Sequence, residues 1–442
     1  MRDSQIVNYS YSFSREDQTL RVTDKSPVFS VLKDGVCIDE GLVREYFENV
    51  GQLLFEVTEK CNFNCSYCGY GTNYHQPEIR PLHTARYLQW NTAKELIDYF
   101  IRIWKRKNED ERHIVIGFYG GEPLLNFVLI EKIVDYLIDN KPRGVDYSWV
   151  ITTNGYFVKK HLDFLLKHQF VIDFSLDGDR VANRYRVFKN GKETFSHVIS
   201  TLDYIFENHP DFFKKQVSIQ SVINHTTTVI DVTRFFWDRY GIVPRIIEMS
   251  TKNVSCEKEI KRMYRNVTND LEASFKRDSS LFEQMGINSP VTSRLLGIIQ
   301  EFSSHYYKTY EDLLSDEKTG EHFLYSSTCL PFFSRLFLTS SGYIFPCEKV
   351  NYQYPLGRVL DSGLSMDFGY VAKLYSSMYT CLQSLCPKCL HQFNCRHCFM
   401  QDGGFDENRV RCEDFILMND KNILKEIEYL KRNHEIIHLA YQ

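Results

Sequence analysis

The sequence predicts an α/β protein in which a partial (β/α)6 barrel is followed by a cysteine-rich C-terminal domain. Two observations carry this prediction. Between residues 51 and 250, six short apolar runs rich in β-branched and aromatic residues alternate with segments of helical period. Most of the 13 cysteines lie either in one short loop near the start of this region or in a second field towards the C-terminus.

Each repeat of the alternation is a strand followed by a helix. The six apolar runs lie at residues 53–57, 114–119, 148–152, 170–175, 216–222 and 243–248. Segments of helical period such as Thr92–Phe100 and Leu129–Leu137 lie between them. Consecutive units of this kind form a parallel sheet with right-handed crossovers, which curls into a partial barrel. In such sheets the loops at the carboxyl ends of the strands carry the functional site.

The length and composition are those of a large enzyme with two or three domains. The chain has 442 residues and is 43% hydrophobic, which is enough to bury a substantial core. We divide it into a strand-like extension, the barrel, a helical connecting region, the cysteine-rich domain and a C-terminal helix, at residues 1–50, 51–250, 251–328, 329–415 and 416–442.

Charge and hydropathy argue against nucleic-acid and membrane partners. The 53 Lys and Arg residues nearly balance the 57 Asp and Glu residues and are scattered, so no basic surface for phosphate binding is expected. No apolar run approaches the roughly 20 residues of a membrane helix, and Met1–Gln5 does not begin a signal peptide. We therefore expect a cytoplasmic protein whose clustered cysteines bind metal instead of forming disulfides.

Three cysteines, Cys61, Cys65 and Cys68, lie in a C-x3-C-x2-C loop directly after the first predicted strand of the barrel. Three thiolates on one loop hold three corners of a four-iron cluster and leave the fourth iron open to another ligand. A zinc knuckle and three buried cysteines are the alternatives. Zinc loops more often read C-x2-C with a second pair at a distance.

With Tyr67 in the aromatic place before the third cysteine, this loop resembles that of the radical S-adenosylmethionine (SAM) superfamily. The resemblance implies a TIM-like partial barrel and a [4Fe-4S] cluster on the three cysteines. In that family the open iron binds the amino and carboxylate groups of SAM. Reduction then cleaves SAM to a 5′-deoxyadenosyl radical.

Two later strand ends resemble SAM-binding motifs of the same family. The turn Gly120-Gly121-Glu122-Pro123 is similar to the motif that holds the SAM amino group. Glycines let a backbone approach a ligand closely, and Glu122 can accept hydrogen bonds from an ammonium group. Asn154, in Thr-Thr-Asn-Gly, resembles a turn near the cofactor.

The fourth predicted strand of the barrel and the segment after it complete the resemblance. Ser175 matches a position that contacts the SAM ribose, and Asp177 alternates onto the same strand face. Arg184 and Arg186 are both candidates to pair with the SAM carboxylate, and the family pattern favours Arg186.

The C-terminal cysteines follow a second pattern. They are Cys329, Cys347, Cys386, Cys389, Cys395, Cys398 and Cys412, with Gly342 between the first two. Taken alone, the block from 386 to 398 is compatible with a zinc ribbon. Together with the upstream spacing it resembles the SPASM extension of radical SAM enzymes, which holds two auxiliary [4Fe-4S] clusters. The final pair of the block is spaced C-x2-C here, where that family usually has C-x3-C.

The resemblance divides these cysteines between two clusters. By position, Cys329, Cys347 and Cys398 belong to auxiliary cluster I, and Cys386, Cys389, Cys395 and Cys412 belong to auxiliary cluster II. Cluster I is then one ligand short, because residues 321–328 contain no cysteine. The alternatives for its fourth ligand are Cys381, Cys256 and a substrate thiolate, and His391 and His397 are further possible ligands.

These resemblances imply an enzyme that installs a thioether or carbon–carbon cross-link in a ribosomally made precursor peptide. Its electrons would come from a donor such as flavodoxin or ferredoxin. Many relatives carry a leader-binding domain of about 80 residues at the N-terminus, and residues 1–50 are too short for one. A leader peptide is therefore expected to bind by strand addition or through a separate leader-binding protein.

Two other functions stay open at this point. One is an anaerobic sulfatase-maturing enzyme, in which Glu348, directly after Cys347, could serve as a base. The other is a non-catalytic zinc scaffold that binds peptides. Iron content distinguishes the scaffold from both enzymes, because three clusters correspond to about twelve irons per chain.

Overall fold

A computed structural model gives the fold of the chain. The residues it describes are 10–14, 19–23, 38–75, 85–107, 111–252, 254–284, 328–350, 352–391, 395, 397–402, 405–406, 409–410, 412, 415–417, 421, 425 and 428–429. They belong to two compact units. The barrel unit comprises Glu40–Ser274 and Leu330–Val371, and the second unit comprises the described parts of Met1–Asp39, Phe275–Cys329 and Ala372–Gln442.

The N-terminal region contains both a hairpin and a helix. Strands β1 (Ser10–Ser14) and β2 (Thr19–Thr23) pair antiparallel, as the strand-like character of residues 1–50 predicted. Helix α1 (Glu40–Glu48) was not predicted. The apolar run Val28–Leu32 lies outside the described residues.

The barrel unit is built on a ten-stranded sheet, six of whose strands are parallel neighbours in chain order. These six are β3 (Gln52–Thr58), β4 (Arg112–Gly120), β5 (Val145–Thr153), β6 (Val171–Ser175), β7 (Val217–Ile223) and β8 (Arg245–Glu248). Each coincides with one of the predicted apolar runs to within a few residues. The predicted α/β class and parallel sheet are confirmed.

Helices connect the parallel strands and cover the sheet. They are α2 (Trp90–Arg106), α3 (Phe127–Asp139), α4 (Leu162–Lys167), α5 (Phe195–Asn208), α6 (Pro210–Gln216) and α7 (Val229–Tyr240). Their buried residues recur at helical spacing: α2 buries Ala93, Leu96, Phe100 and Trp104. Short 3₁₀ turns at Pro123–Asn126, Lys159–His161 and Ala182–Tyr185 lie between strands and helices. After β8 come α8 (Glu257–Met263), α9 (Val267–Arg277) and α10 (Ser279–Gln284), and residues 285–327 are outside the description.

Four short strands from the C-terminal half extend the barrel sheet beyond β3. They are β9 (Leu336–Leu338), β10 (Tyr343–Phe345), β11 (Gly357–Leu360) and β12 (Gly363–Met366). Strand β9 pairs parallel with β3, and β10 to β12 follow as an antiparallel meander. These residues were expected to belong to the cysteine-rich domain, but their packing groups them with the barrel, because strands of three or four residues need an existing sheet edge.

The side chain of Phe47 joins α1 to this extended sheet. It is fully buried, and its ring lies 5.3 Å from that of Phe100, 5.0 Å from that of Phe332 and 5.4 Å from that of Phe368. One aromatic cluster therefore holds together α1, α2 and the segments that precede β9 and follow β12.

The last part of the chain is helical and cysteine-bearing. Helix α11 (Phe368–Leu385) leads to a 3₁₀ turn at Cys386–Lys388, then to α12 (Phe399–Asp402) and the strand pair β13 (Phe405–Asp406) and β14 (Arg409–Val410). Most of the predicted C-terminal helix, residues 416–442, lies outside the described residues. Among those that are described, no helix has the length and apolar character that a membrane span requires.

Candidate active site at the carboxyl ends of the barrel strands

The cysteine loop, residues 61–68, begins just past the end of β3 and is held by backbone hydrogen bonds. Asn64 N donates to Val187 O at 2.7 Å. Ser66 N donates to Tyr185 O at 3.0 Å. The loop that follows β3 is thereby bound to the segment that follows β6, so the three cysteines extend across the carboxyl ends of the strands.

The three thiols of this loop are partly buried, and their environment disfavours a free thiolate. Burial raises the pKa of Cys65 to about 12, against the opposing guanidinium charge of Arg186 and with a further increase from Cys68. Burial also raises the pKa of Cys61 well above its ordinary value, and the charges of Glu122 and Cys68 add to this. A bound cation reverses the penalty because it stabilises thiolates. The donor set therefore fits an iron–sulfur cluster.

The loop also contains a buried polar atom without a hydrogen-bond partner among the described residues, Asn62 Nδ2. The amide lies between Cys61 and Cys65 in sequence and can donate to an acceptor held by them, such as a sulfide. The thiols themselves do not converge: in the described ranges, no three His, Cys, Asp or Glu side chains form a group that could hold a metal ion. The fit therefore rests on donor chemistry, and cluster binding would require the thiols to turn.

The glycine pair after β4 packs against the backbone that enters the cysteine loop. Gly121 N donates to Thr58 O at 2.9 Å, and Glu122 N donates to Lys60 O at 2.8 Å. A Cβ atom on Gly120 would overlap Thr58 O, and one on Gly121 would overlap Lys60 O. Gly120 also has a φ of +137°, which residues other than glycine rarely adopt. We expected these glycines to let the backbone approach a ligand closely. In this structure they approach the backbone of Thr58 and Lys60.

The Glu122 carboxylate joins the ends of β4 and β5. It is fully buried and accepts hydrogen bonds from Leu124 N at 3.1 Å, Thr153 Oγ1 at 2.8 Å and Asn154 N at 2.8 Å. Burial raises its pKa to about 7, against the opposing effect of these three donors. Asn154 Nδ2 in turn donates to Asn62 Oδ1 at 2.9 Å. The predicted motifs on β3, β4 and β5 are thus brought into one hydrogen-bonded network.

A second buried carboxylate, Asp177, lies under the cysteine loop. Its Oδ1 accepts from Arg186 Nε at 2.9 Å and from Val222 N at 3.0 Å, and its Oδ2 accepts from the Tyr67 hydroxyl. The Arg186 guanidinium lies 5.3 Å from the centre of the Tyr67 ring. Burial holds the pKa of Tyr67 well above its usual value, so the phenol remains a donor. This network anchors the aromatic residue of the loop.

The other predicted SAM contacts differ in exposure. Ser175 is half-buried at the end of β6, in register with Gln220 of β7. Arg184 is exposed, whereas Arg186 is buried. Arg186 is thus the arginine that lies beside the cysteine loop, and its contact with SAM stays a prediction.

A third buried carboxylate, Glu56, was not identified from the sequence. It accepts from the Tyr70 hydroxyl at 2.6 Å, from Ser340 N at 2.9 Å and from Ser340 Oγ at 3.0 Å. Tyr70 comes two residues after the last cysteine of the loop, and Ser340 lies between β9 and β10. The signal that was available is the charged residue inside the apolar run 53–57, since a buried charge requires partners.

The four cysteines assigned to auxiliary cluster II all belong to the second unit. Burial raises the pKa of Cys386 to about 12, and the charges of Cys395, Cys389 and Cys412 raise it further. His397 contacts this group through its backbone, whose N donates to Cys395 Sγ at 3.4 Å.

The segments that carry two of the cysteines assigned to cluster I, Cys329 and Cys398, meet at the side chain of Tyr379. The pKa of Tyr379 is raised by burial and then by the charges of Cys329 and Cys398. The Tyr379 hydroxyl donates to Thr328 O at 2.6 Å, and Phe399 N donates to Thr328 Oγ1 at 3.0 Å. These bonds fix the two segments that carry Cys329 and Cys398.

Cys381 lies on the same helix as Tyr379 but faces another direction. The two residues are two positions apart on α11 (Phe368–Leu385), which corresponds to a rotation of about 200°. Cys381 is therefore directed away from the side on which the segments that carry Cys329 and Cys398 meet at Tyr379.

Cys347 and Glu348 belong to the barrel unit. Lys349 N donates to Cys347 Sγ at 3.2 Å. Glu348 is nearly buried and is paired with Arg335, whose Nη1 lies 3.0 and 3.2 Å from its two carboxylate oxygens. The carboxylate that we considered as a base is thus held in an ion pair.

Comparison with known proteins identifies the family. Residues 55–231, which include the cysteine loop and the Glu122 and Asp177 networks, match the profile of the radical SAM superfamily. Residues 55–231 therefore form a radical SAM domain. Such a domain belongs to an enzyme, which is inconsistent with the non-catalytic zinc scaffold.

Two curated radical SAM proteins are among its relatives. The radical SAM cyclopropyl synthase TigE of Paramaledivibacter caminithermalis is 21% identical over 304 residues, which cover 68% of this chain and 58% of TigE. A cysteine-type anaerobic sulfatase-maturating enzyme of Clostridium novyi is 22% identical over 194 residues, covering 43% of this chain and 48% of that enzyme. The chain spans about half the length of these curated relatives.

The fold is that of a solved radical SAM structure. The structure of anSMEcpe with bound AdoMet (SAM) matches 88% of this chain and 99% of its own, with a TM-score of 0.58 and 18% identity. The same protein has been solved with AdoMet and the Cp18Cys peptide bound. This likeness shows that the chain shares the fold of anSMEcpe over most of its length.

Asp177→Asn should destabilise the barrel and loosen the cysteine loop. The substitution leaves the buried Arg186 charge uncompensated, which typically costs about 3–5 kcal/mol. The free energy of unfolding in urea and the iron content per chain, both measured without oxygen, should decrease together. The control is Asp203→Asn, which removes a more exposed pair with Arg239 and should cost about 0–1 kcal/mol. Equal stability of the two variants would contradict the anchoring role of Asp177.

Gly121→Ala should displace the backbone before Cys61 and lower iron incorporation. The added Cβ overlaps Lys60 O, a backbone atom that cannot rotate away. Iron per chain after reconstitution is the measurement. Gly51→Ala is the matched control, because a Cβ there meets no atom within 4 Å. An alanine at 121 that loads iron as well as the control would show that this contact does not position the loop.

Proposed function

We propose that this radical SAM protein is a peptide maturase. It generates a 5′-deoxyadenosyl radical and installs a thioether or carbon–carbon cross-link in a ribosomally synthesised peptide. The observation that carries the proposal is the set of seven C-terminal cysteines at the spacing given above, in addition to the cysteine loop of the barrel; the segments that carry Cys329 and Cys398 are joined by hydrogen bonds at Thr328. A chain that only cleaves SAM needs one cluster, whereas an oxidative cross-link leaves an electron that further clusters can accept.

In this proposal the barrel supplies SAM and the radical. A [4Fe-4S] cluster held by Cys61, Cys65 and Cys68 delivers the electron that cleaves SAM when both are bound. Tyr67 and its buried carboxylate partner keep the loop in place. Because Glu122 already accepts three protein hydrogen bonds, it acts on the SAM ammonium chiefly by positioning Asn154 and the glycine turn around it.

Ser175 and Arg186 are proposed to bind the rest of the cofactor. Ser175 is placed by β6 to reach the ribose hydroxyls. Arg186 uses Nε for Asp177, so the terminal amino groups of its guanidinium would pair with the SAM carboxylate. Loss of the Nε contact with Asp177 alone is therefore expected to affect the fold. Loss of the whole guanidinium is expected to affect SAM affinity as well.

The C-terminal cysteines are proposed to hold two auxiliary [4Fe-4S] clusters, with the assignments given above. When bound, these clusters would supply an acceptor for the electron that is left when the substrate radical closes onto a neighbouring atom. The partners of the reaction are a precursor peptide and an electron donor such as flavodoxin or ferredoxin, with a separate leader-binding protein where the peptide has a leader. TigE and the peptide-bound anSMEcpe structure support a peptide-directed radical SAM function.

A second candidate function is maturation of an anaerobic sulfatase, in which a Cys or Ser becomes formylglycine. The similarity to the sulfatase-maturating enzyme of Clostridium novyi favours it, and so does the carboxylate of Glu348 directly after Cys347. Incubation with the candidate precursor peptide and with a sulfatase-derived peptide separates the two functions. Mass spectrometry should detect loss of two hydrogens without an aldehyde if the chain is a cross-linking maturase, and an aldehyde-bearing product if it is the alternative.

Replacing Cys61, Cys65 and Cys68 together with Ala should abolish SAM cleavage and leave the auxiliary clusters. Iron should fall by about one third, because one of three clusters is lost. The measurements are 5′-deoxyadenosine release under dithionite and iron per chain. Continued release of 5′-deoxyadenosine by the triple variant would rule out the radical mechanism at this loop.

Cys381→Ala tests the fourth ligand of auxiliary cluster I. We propose that this corner is open to a substrate thiolate, because Cys381 points away from Cys329 and Cys398. The variant should keep its iron content and its cross-linking rate. Cys398→Ala is the comparison and should lose iron. Degradation of one cluster in Cys381→Ala would instead assign the corner to this cysteine and leave cluster I as an electron carrier only.

A further inference from the structure

An exposed aromatic patch lies beside the cysteine loop. Tyr156 directly follows the Asn154 turn and is 37% exposed. Its ring lies 5.3 Å from that of Phe188 and 5.5 Å from that of His197. Phe188 and His197 are 5.4 Å apart, so the three rings form one surface. Exposed apolar groups that are contiguous in this way are typical of interaction sites.

This patch is connected to a predicted cluster ligand through one residue. The ring of Phe63 is buried beneath the patch, 5.1 Å from the ring of Phe188 and 6.3 Å from that of Tyr156. The amide of the same residue donates to Cys61 Sγ at 3.4 Å. A partner seated on the patch is therefore separated from a cluster ligand by one aromatic side chain and one N–H···S hydrogen bond.

The surroundings of the patch are basic, although the whole chain has a net charge of −4. Phe188 stands at the base of a short hairpin, closed by a hydrogen bond from Phe188 N to Lys192 O at 2.9 Å. Four exposed lysines lie on this hairpin and beside Tyr156, namely Lys159, Lys160, Lys189 and Lys192. The carboxylate of Glu193, in the same hairpin, is paired with Arg180 and not with these lysines.

We propose that this aromatic and basic surface, which we call the donor surface (Tyr156, Phe188, Lys189, Lys192 and His197), docks an acidic protein that carries one electron at a time, of the flavodoxin or ferredoxin class. The proposal rests on the proposed function. Each SAM cleaved consumes one electron, and the donor leaves the surface oxidised by one electron. Redox encounters use small, transient interfaces, and complementary charge sets their rate more than their affinity.

The test is a charge reversal with a matched control. The variant Lys189→Glu/Lys192→Glu removes two cations from the donor surface. The control is Lys214→Glu/Lys215→Glu, which changes the same number of exposed lysines on α6. Helix α6 leads into the amino end of β7, so these lysines lie at the opposite ends of the strands from the site. Two readouts are needed: binding of oxidised flavodoxin to the cluster-loaded full chain, and the rate at which reduced flavodoxin is oxidised by it in the presence of SAM.

At low ionic strength the donor-surface variant should oxidise flavodoxin about tenfold more slowly than the wild type, because steering by complementary charge raises association rates by this order. Its binding of oxidised flavodoxin should weaken as well. The difference should shrink at high salt, where surface charges are screened. With dithionite, which needs no docking surface, the variant should cleave SAM at the wild-type rate.

Three results would overturn the proposal. One is an unchanged flavodoxin rate and affinity in the donor-surface variant. A second is an equal loss in the control, which would indicate a general charge effect. A third is weakened binding of the precursor peptide with unchanged flavodoxin binding, which would make this a peptide surface. Absence of SAM cleavage by the wild type with dithionite would instead contradict the proposed function. In that case the flavodoxin-binding measurement would still test whether the donor surface docks flavodoxin.

Discussion

The cysteine loop depends on a carboxylate that has been removed from water. Asp177 receives the Arg186 guanidinium, a backbone amide of β7 and the hydroxyl of Tyr67 in the loop itself. A buried charge is tolerated only when its partners are complete, so the loop cannot leave without removing one of these partners and exposing the buried ion pair to water. The position of the cysteines is therefore tied to the interior of the barrel as well as to the loop's own backbone.

The same principle recurs at two other strand ends. Glu122 is saturated by donors from its own 3₁₀ turn and from the turn after β5, and Glu56 is bound by Tyr70 and Ser340. Glu122 is linked to the loop through Asn154 and Asn62, and Glu56 is linked to the segment after the loop through Tyr70. Carboxylates accept several hydrogen bonds at once, which suits them to join segments that meet only at the edge of a parallel sheet.

The arrangement also separates the tasks of the proposed reaction. The side of the loop that contacts Asp177 faces the packed barrel, where SAM would bind. The side that carries Phe63 contacts the exposed rings of Tyr156 and Phe188, where an electron could enter. Because the loop is fixed on both sides, an electron donor and the cofactor can be served by one set of thiolates without competing for the same surface.

The sequence by itself determined the parallel barrel, the positions of its strands and the loops that carry chemistry, because alternating periodicity and the C-x3-C-x2-C spacing are local properties of the chain. It also predicted Arg186, in preference to Arg184, as the arginine of the site and assigned the C-terminal cysteines to two clusters. Only the tertiary structure decided that Asp177 and Glu122 are saturated by the protein, that Glu56 is part of the site, and that β9 to β12 extend the barrel sheet. Those features depend on which polar groups meet when distant segments pack, and no spacing within one segment encodes that pairing.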